Sequence, residues 1–219
     1  MAGPRELPET ASVAHSADGG RLFAPSAARN TDAIVTLAAE VAPSGGQALE
    51  IASGTGQHIV ALAKALPHLH WQPSEVDPER RASIDNYVAH AQLENLATAV
   101  ELDATNPGWS ATYCGQSFIL LVNLLHLISD REARTLISEA AAALAPGGVL
   151  MIYGPFMRDT DLTSEGDAAF HASLKEKDPE IGYKSDFDVL DWGQSQWLDY
   201  LDMVEMPANN LAILFQKAA

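Results

Sequence analysis

Apolar positions along this chain follow two periods, near 3.6 and near 2, and their alternation predicts the fold. Residues 21–30, RLFAPSAARN, open a helical pattern that runs to about Val41. Ser26 reads as its N-cap, and Pro43, Ser44, Gly45 and Gly46 end it. A first strand is expected at about 47–53. Beyond Gly56, the residues Ile59, Val60, Leu62, Ala63 and Leu66 fall on one helical face, and the helix ends near Pro67. A second strand at about 69–76 leads to Asp77 and Pro78, an N-cap followed by a proline at the first helical position. That helix extends to about Gln92, and a third strand is expected at about 99–102. Residues 117–124, SFILLVNL, form a continuous apolar run, the pattern of a central strand covered on both faces. A helix at 131–145 stops at Pro146-Gly147-Gly148, and a fifth strand follows at 149–153.

After Phe156 the pattern changes. A short helix begins at Thr163, Ser164 and Glu165 and passes through Phe170 and Leu174. A second is expected at about 186–190, with another segment near 196–201. A hairpin closes the chain, with strands at about 202–206 and 211–216 around the turn Pro207-Ala208-Asn209-Asn210. Repeated strand–helix–strand units predict an α/β fold with right-handed crossovers and helices on both faces of the sheet. With the hairpin, the sheet has seven strands and is mostly parallel. Residues 1–20, rich in Ala, Gly, Pro and Ser, read as a mobile arm ahead of a single domain at 21–219.

Charge narrows the function. The chain of 219 residues carries a net charge of −16. Such a surface repels phosphate backbones, so nucleic acid is not the expected substrate. The single cysteine, Cys114, allows no internal disulfide and reads as a packed small side chain in a reducing, cytoplasmic setting. No apolar run has the length of a membrane span, and the N-terminus does not read as a signal peptide. A monomer or homodimer acting on a small molecule is expected, with no membrane partner.

Candidate chemistry centres on residues 48–58, ALEIASGTGQH. A strand that ends in a Gly-rich turn and opens a helix is the nucleotide-binding layout of doubly wound proteins. The dinucleotide pattern GxGxxG would place its third glycine where Ile59 stands. The acid Glu50, four residues before Gly54, instead resembles motif I of class I S-adenosylmethionine methyltransferases. That resemblance implies an acid near the methionine ammonium and a backbone that passes beneath the ligand. The motif's usual first glycine is Ala52 here. Glu75, at the tip of the second strand, suits ribose hydroxyls or is a loop charge. The resemblance implies that Asp103 meets the adenine amino group and the N–H of Ala104 a ring nitrogen, unless Asp103 caps a turn. Asn123 and His126 fall beyond the carboxyl end of the fourth strand, where ligands bind in open α/β sheets. His126 reads as a base or as a histidine packed under a helix.

RLFAPSAARN, LEIASGTGQH, WQPSEVDPE, YGPF and MPANNL, in this order and spacing, resemble the domain-of-unknown-function family 938, also called the methyltransferase-like protein 26 group, over about residues 21–217. The resemblance implies a class I methyltransferase fold with S-adenosylmethionine as cofactor and S-adenosylhomocysteine as product. With it, the cofactor site is expected to comprise Arg29, Asn30, Glu50, Ala52, Ser53, Gly54, Gly56, His58, Glu75, Asp103, Ala104 and Asn123. His126 and Tyr153 are candidate catalytic residues. Phe23, Ser26, Phe156, Arg158, Asn209 and Asn210 are candidate acceptor-binding residues. Each also has a structural reading: Phe23 as a hydrophobic staple, Arg29 as a surface charge, Asn209-Asn210 as turn formers. The expected activity is methyl transfer to a small thiol, carboxylate, amine or hydroxyl compound. Its alternative is a non-catalytic protein that binds the same ligand. A nicotinamide oxidoreductase lacks its third glycine, and His68 and His70 have no third metal ligand near them in sequence.

Overall fold

The computed structural model describes residues 7–8 and 11–219. The expectation of a mobile arm over 1–20 therefore lies partly outside the described residues. Strand β1 (His15–Ser16) pairs antiparallel with β2 (Leu22–Phe23). Helix α1 (Pro25–Val41) starts with proline at its first turn, two residues earlier than expected. Ser26 is therefore inside the helix and is not its N-cap; Ala24 holds that position and makes no side-chain cap. The Ala24 N–H donates to Gln57 Oε1 at 2.6 Å instead.

Strand β3 (Gly46–Ile51), helix α2 (Gln57–Ala65), strand β4 (Leu69–Pro73) and helix α3 (Pro78–Ala91) follow as the periodicity requires. Asp77 caps α3, its Oδ1 accepting from the N–H groups of Glu79 (2.8 Å) and Arg80 (3.0 Å). Strand β5 (Gln116–Val122) precedes α4 (Asp130–Ala143), which opens with a capping box between Ser129 and Glu132. Next come β6 (Leu144–Met157), α5 (Glu165–Lys177), β7 (Lys184–Ser185), α6 (Asp186–Ser195), β8 (Leu198–Met206) and β9 (Asn210–Lys217).

The main sheet runs β4-β3-β5-β6-β9-β8, and β7 pairs with the far end of β6. The pairs β3–β4, β3–β5 and β5–β6 are parallel, and β9 lies antiparallel between β6 and β8. Alternate residues feed two apolar layers. Ala48, Leu120 and Met151 meet Ile34, Leu62 and Ile84 on the face covered by α1, α2 and α3. Leu49, Leu121 and Ile152 meet Leu136, Ile137 and Trp192 on the face covered by α4 and α6.

The seven strands are not quite the expected seven. Residues 99–102 form no strand: they meet the end of β4 through an isolated bridge at Ser74–Val100, one residue out of step with the Trp71–Leu96 bridge before it, and the Ala99 N–H donates to Asp85 Oδ1 at 2.7 Å. The seventh strand is β7, in the segment after Phe156. Strand β6 begins before the expected fifth strand, and Pro146-Gly147-Gly148 lies inside it. Its register moves there from Gln116–Leu144 to Phe118–Val149, a bulge with an unpaired insert. Gly148 is required at that bulge, since a Cβ would stand 2.7 Å from the Gln116 carbonyl. The expected segment at 196–201 is mostly the start of β8, and α6 is longer than expected. Cys114 is exposed rather than packed. Among the described residues no helix is long and apolar enough to cross a membrane.

Helix α3 also anchors the N-terminal ladder. Ser83 Oγ accepts from the Leu22 N–H (2.7 Å) and donates to the Thr55 carbonyl (2.8 Å). Tyr87 Oη donates to the Leu22 carbonyl and Asn86 Nδ2 to that of Gly20, each at 3.0 Å.

Candidate functional site

The chain leaves β3 toward β4 on one side and later returns to β5 on the other. Between them, beyond the carboxyl ends of the strands, lies a topological switch point, where α/β sheets take their ligands. A cleft of about 500 Å³ occupies this place. Its floor is the turn after β3, where the backbone is left-handed at Ala52 (φ 53°), Gly54 (58°) and Gly56 (96°). Ala52 thus sits in a conformation that favours glycine. At Gly56 a Cβ would stand 3.0 Å from Ile84 Cα.

Beneath the turn is Glu50. Its side chain is buried just outside the cleft lining, and neither carboxylate oxygen has a hydrogen-bond partner among the described residues. Burial pushes its pKa up from 4.5 to about 8; Ser53 opposes the shift and the Glu75 carboxylate adds to it. Glu75, at the tip of β4, by contrast accepts at both oxygens. Its Oε2 accepts from the Gly54 N–H (3.0 Å), and its Oε1 from those of Val76 (2.8 Å) and Asp77 (3.1 Å). It ties the turn to the next strand and still lines the cleft. Asp103 lines the cleft too, and it also caps its own turn: Oδ1 accepts from the Thr105 N–H (3.0 Å) and hydroxyl (2.6 Å). Ala52, Ser53, Gly54, His58, Ala104, Asn123 and Ser26 complete the expected residues in the lining. Asn123 is left-handed (φ 55°), and its N–H donates to the Tyr153 carbonyl at 2.8 Å.

Other expected residues lie elsewhere. Arg29 is exposed on α1, outside the cleft lining, and Phe23 is exposed on β2. Asn30 is buried behind the wall, with its Oδ1 2.8 Å from His58 Nε2. Burial lowers the His58 pKa to about 4, against a raising contact with the Ala27 carbonyl. Tyr153 is also buried behind α1, and its Oη has no hydrogen-bond partner among the described residues. Burial raises its pKa, and Asn30 and Asn210 partly offset this. His126 turns away from the cleft and packs edge-on against Phe170 and Tyr183, with ring centroids 5.7 and 6.1 Å away. Burial, then the charge of Lys184, lowers its pKa to about 3. Phe156 belongs to the core. Arg158 pairs with Glu205 (2.9 Å) and donates to the Asn209 carbonyl (3.4 Å), tying β6 to the last turn. Asn209 Nδ2 donates to Asp167 Oδ2 (3.0 Å) and Asn210 Nδ2 to the Pro207 carbonyl (2.9 Å), so this pair shapes the turn. His68 and His70 are exposed, and no cluster of three metal-ligating side chains occurs among the described residues.

Sequence reasoning missed part of the lining. Arg80 reaches the cleft from α3 and donates to the Ser12 carbonyl (3.1 Å) and hydroxyl (2.6 Å). Leu7, Ala11 and Val13 of the N-terminal segment line it, as do Leu124, Leu127 and Ile128 after β5. The apolar run that continues past Asn123 was the available signal for the last three.

The family described as "Protein of unknown function (DUF938)" matches residues 21–217. The chain belongs to that family. Among solved structures it is similar to an O-methyltransferase family protein from Burkholderia thailandensis (TM-score 0.74, 18% identity), covering 86% of this chain and 56% of that one. It is likewise similar to human N-acetylserotonin methyltransferase in complex with S-adenosylmethionine (0.72, 14%; 89% and 53%). A third is an O-methyltransferase family 2 protein from Planctomyces limnophilus in complex with apigenin (0.68, 20%; 86% and 62%). The chain therefore spans little more than half the length of the solved proteins it matches. At these identities the similarity establishes the fold: α/β, Rossmann-like, with the closing antiparallel hairpin.

Proposed function

We propose that this member of the family is an S-adenosylmethionine-dependent methyltransferase acting on a small-molecule acceptor. The observation that carries the reading is the orphaned Glu50 carboxylate at the strand tip, below a turn with three left-handed residues. A buried, unpartnered acid is costly, and a ligand cation offsets that cost. The methionine ammonium of S-adenosylmethionine supplies one.

The remaining residues fit the same ligand. Glu75 would take a ribose hydroxyl at Oε2, which accepts only one bond from the protein, and Asp103 with the Ala104 N–H would meet the adenine edge. The bound cofactor supplies an electrophilic methyl group on a sulfonium. This chain's own contribution is then to place the acceptor and exclude water. His126 and Tyr153 do not line the cleft, and His58 is held neutral by burial, so the reading assigns no strong base. A thiol acceptor, whose proton is the easiest of the candidates' to lose on methylation, fits this best. The cytoplasmic setting and the methyltransferase-like protein 26 grouping belong to the same proposal.

Calorimetric titration with S-adenosylmethionine, S-adenosylhomocysteine and NAD tests it. Micromolar binding of the first two, weakened in Glu75→Ala and absent for NAD, is expected. Binding of NAD alone would favour an oxidoreductase; binding of none would leave an interaction protein.

A further inference from the structure

The cleft has two unlike ends. Four ionisable residues line it on the β4 side of the glycine turn: Glu75, Asp77, Arg80 and Asp103. On the β5 side the lining is Val122, Asn123, Leu124, Leu127 and Ile128, which carry no charge. The N-terminal segment bridges the two ends. Ser12 is held over the charged end by Arg80. Leu7 and Ala11 join Leu127 against a third apolar cluster built on Leu174, Ile181 and Tyr183. The segment after Phe156 fixes this end from behind. Gly182 N–H donates to the His126 carbonyl (3.0 Å), and Lys184 Nζ donates to that of Ile128 (2.8 Å) and pairs with Asp130 (3.0 Å). Lys184, behind the apolar end, is therefore engaged by the Ile128 carbonyl and Asp130 and does not line the cleft.

We infer that the acceptor is an uncharged molecule with an apolar body, seated between Leu7 and Ala11 on one side and Leu124, Leu127 and Ile128 on the other. The inference rests on the methyltransferase reading, which assigns the charged end to the cofactor. A carboxylate or ammonium at the β5 end would lose water without gaining a partner. Asn123, at the junction, offers one amide to orient a neutral polar group. This excludes two of the acceptor types that sequence alone leaves open, the carboxylates and the charged amines.

Three probes with one benzyl body and different charge test it: benzyl alcohol, phenylacetate and benzylammonium. Each is titrated into protein saturated with S-adenosylhomocysteine and followed by ligand-observed NMR. Benzyl alcohol should bind at least tenfold more tightly than either ion. Leu7→Lys, on the N-terminal segment, and Leu127→Lys should each weaken benzyl alcohol and strengthen phenylacetate severalfold, with S-adenosylhomocysteine affinity unchanged. Equal or tighter binding of an ion, or no binding of benzyl alcohol, overturns the inference while the cofactor reading stands. If S-adenosylhomocysteine itself fails to bind, the cofactor reading falls. The benzyl alcohol and phenylacetate titrations on unliganded protein then decide the apolar end separately.

Discussion

Two turns in this molecule share a backbone signature and differ in what they leave unsatisfied. The turn after β3 is left-handed at Ala52, Gly54 and Gly56, and the turn before β9 is left-handed at Ala208 and Asn209. Both read from sequence as ligand loops. In the second, each asparagine amide and Arg158 is spent on the protein itself. In the first, a carboxylate with two lone oxygens sits beneath the backbone. Positive φ marks where a chain reverses; an unpartnered buried acid marks where something else is expected to bind.

The largest expected effect sharpens this contrast at Glu50. Glu50→Gln should lower S-adenosylmethionine affinity at least a hundredfold by calorimetry. The same variant should respond differently to pH. Glu50 has a folded pKa of about 8, raised from 4.5, so its stabilising contribution is full at low pH and is lost as pH rises toward 8. The stability of Glu50→Gln relative to the parent should therefore climb between pH 5 and pH 8, by on the order of 3 kcal/mol in denaturant titrations. A cation beside Glu50 favours its ionised form, so ligand binding near pH 7 should release a proton. Calorimetry in buffers of different ionisation enthalpy would detect it.

Gly56→Ala comes next. It forces a side chain into a left-handed residue already close to Ile84, and about 2 kcal/mol of stability should be lost along with ligand affinity. Ala52→Gly should act in the opposite sense, with a gain of about 0.5–1 kcal/mol and intact binding, because glycine suits a φ of 53°. The smallest effect belongs to the other turn. Arg158→Ala should cost less than about 1 kcal/mol, since Glu205 is largely exposed, and should leave ligand affinity unchanged. A large loss of affinity there would erase the distinction between the two turns.

The legible parts of the sequence were those fixed by local chemistry. The apolar run of β5, the Asp77-Pro78 start of α3 and the glycine turn each depend on neighbours a few residues away. Residues 99–102 misled because their pairing beside β4 slips by one residue between the Trp71–Leu96 and Ser74–Val100 bridges, so no continuous ladder forms. His126 lies two residues past the cleft-lining Leu124, yet its direction depends on Phe170 and Tyr183, in a segment with little periodicity of its own. Arg80 and the N-terminal segment enter the cleft through contacts across 68 residues, which no window in the sequence registers. Glu50 and Glu75 look alike in sequence as acids at strand tips. Only packing makes one satisfied and the other orphaned.

The Ser83 hydroxyl, shared between Leu22 and Thr55, has an evolutionary consequence. One short side chain must accept from the N-terminal ladder and donate to the glycine turn, so drift at position 83 is restricted to residues that can do both. Threonine carries the same hydroxyl and is the conservative replacement; alanine and valine break both links at once. Relatives that replace Ser83 with an apolar residue should therefore also have redesigned the segment ahead of α1, and a transplanted N-terminal segment should be accepted only where this hydroxyl is retained.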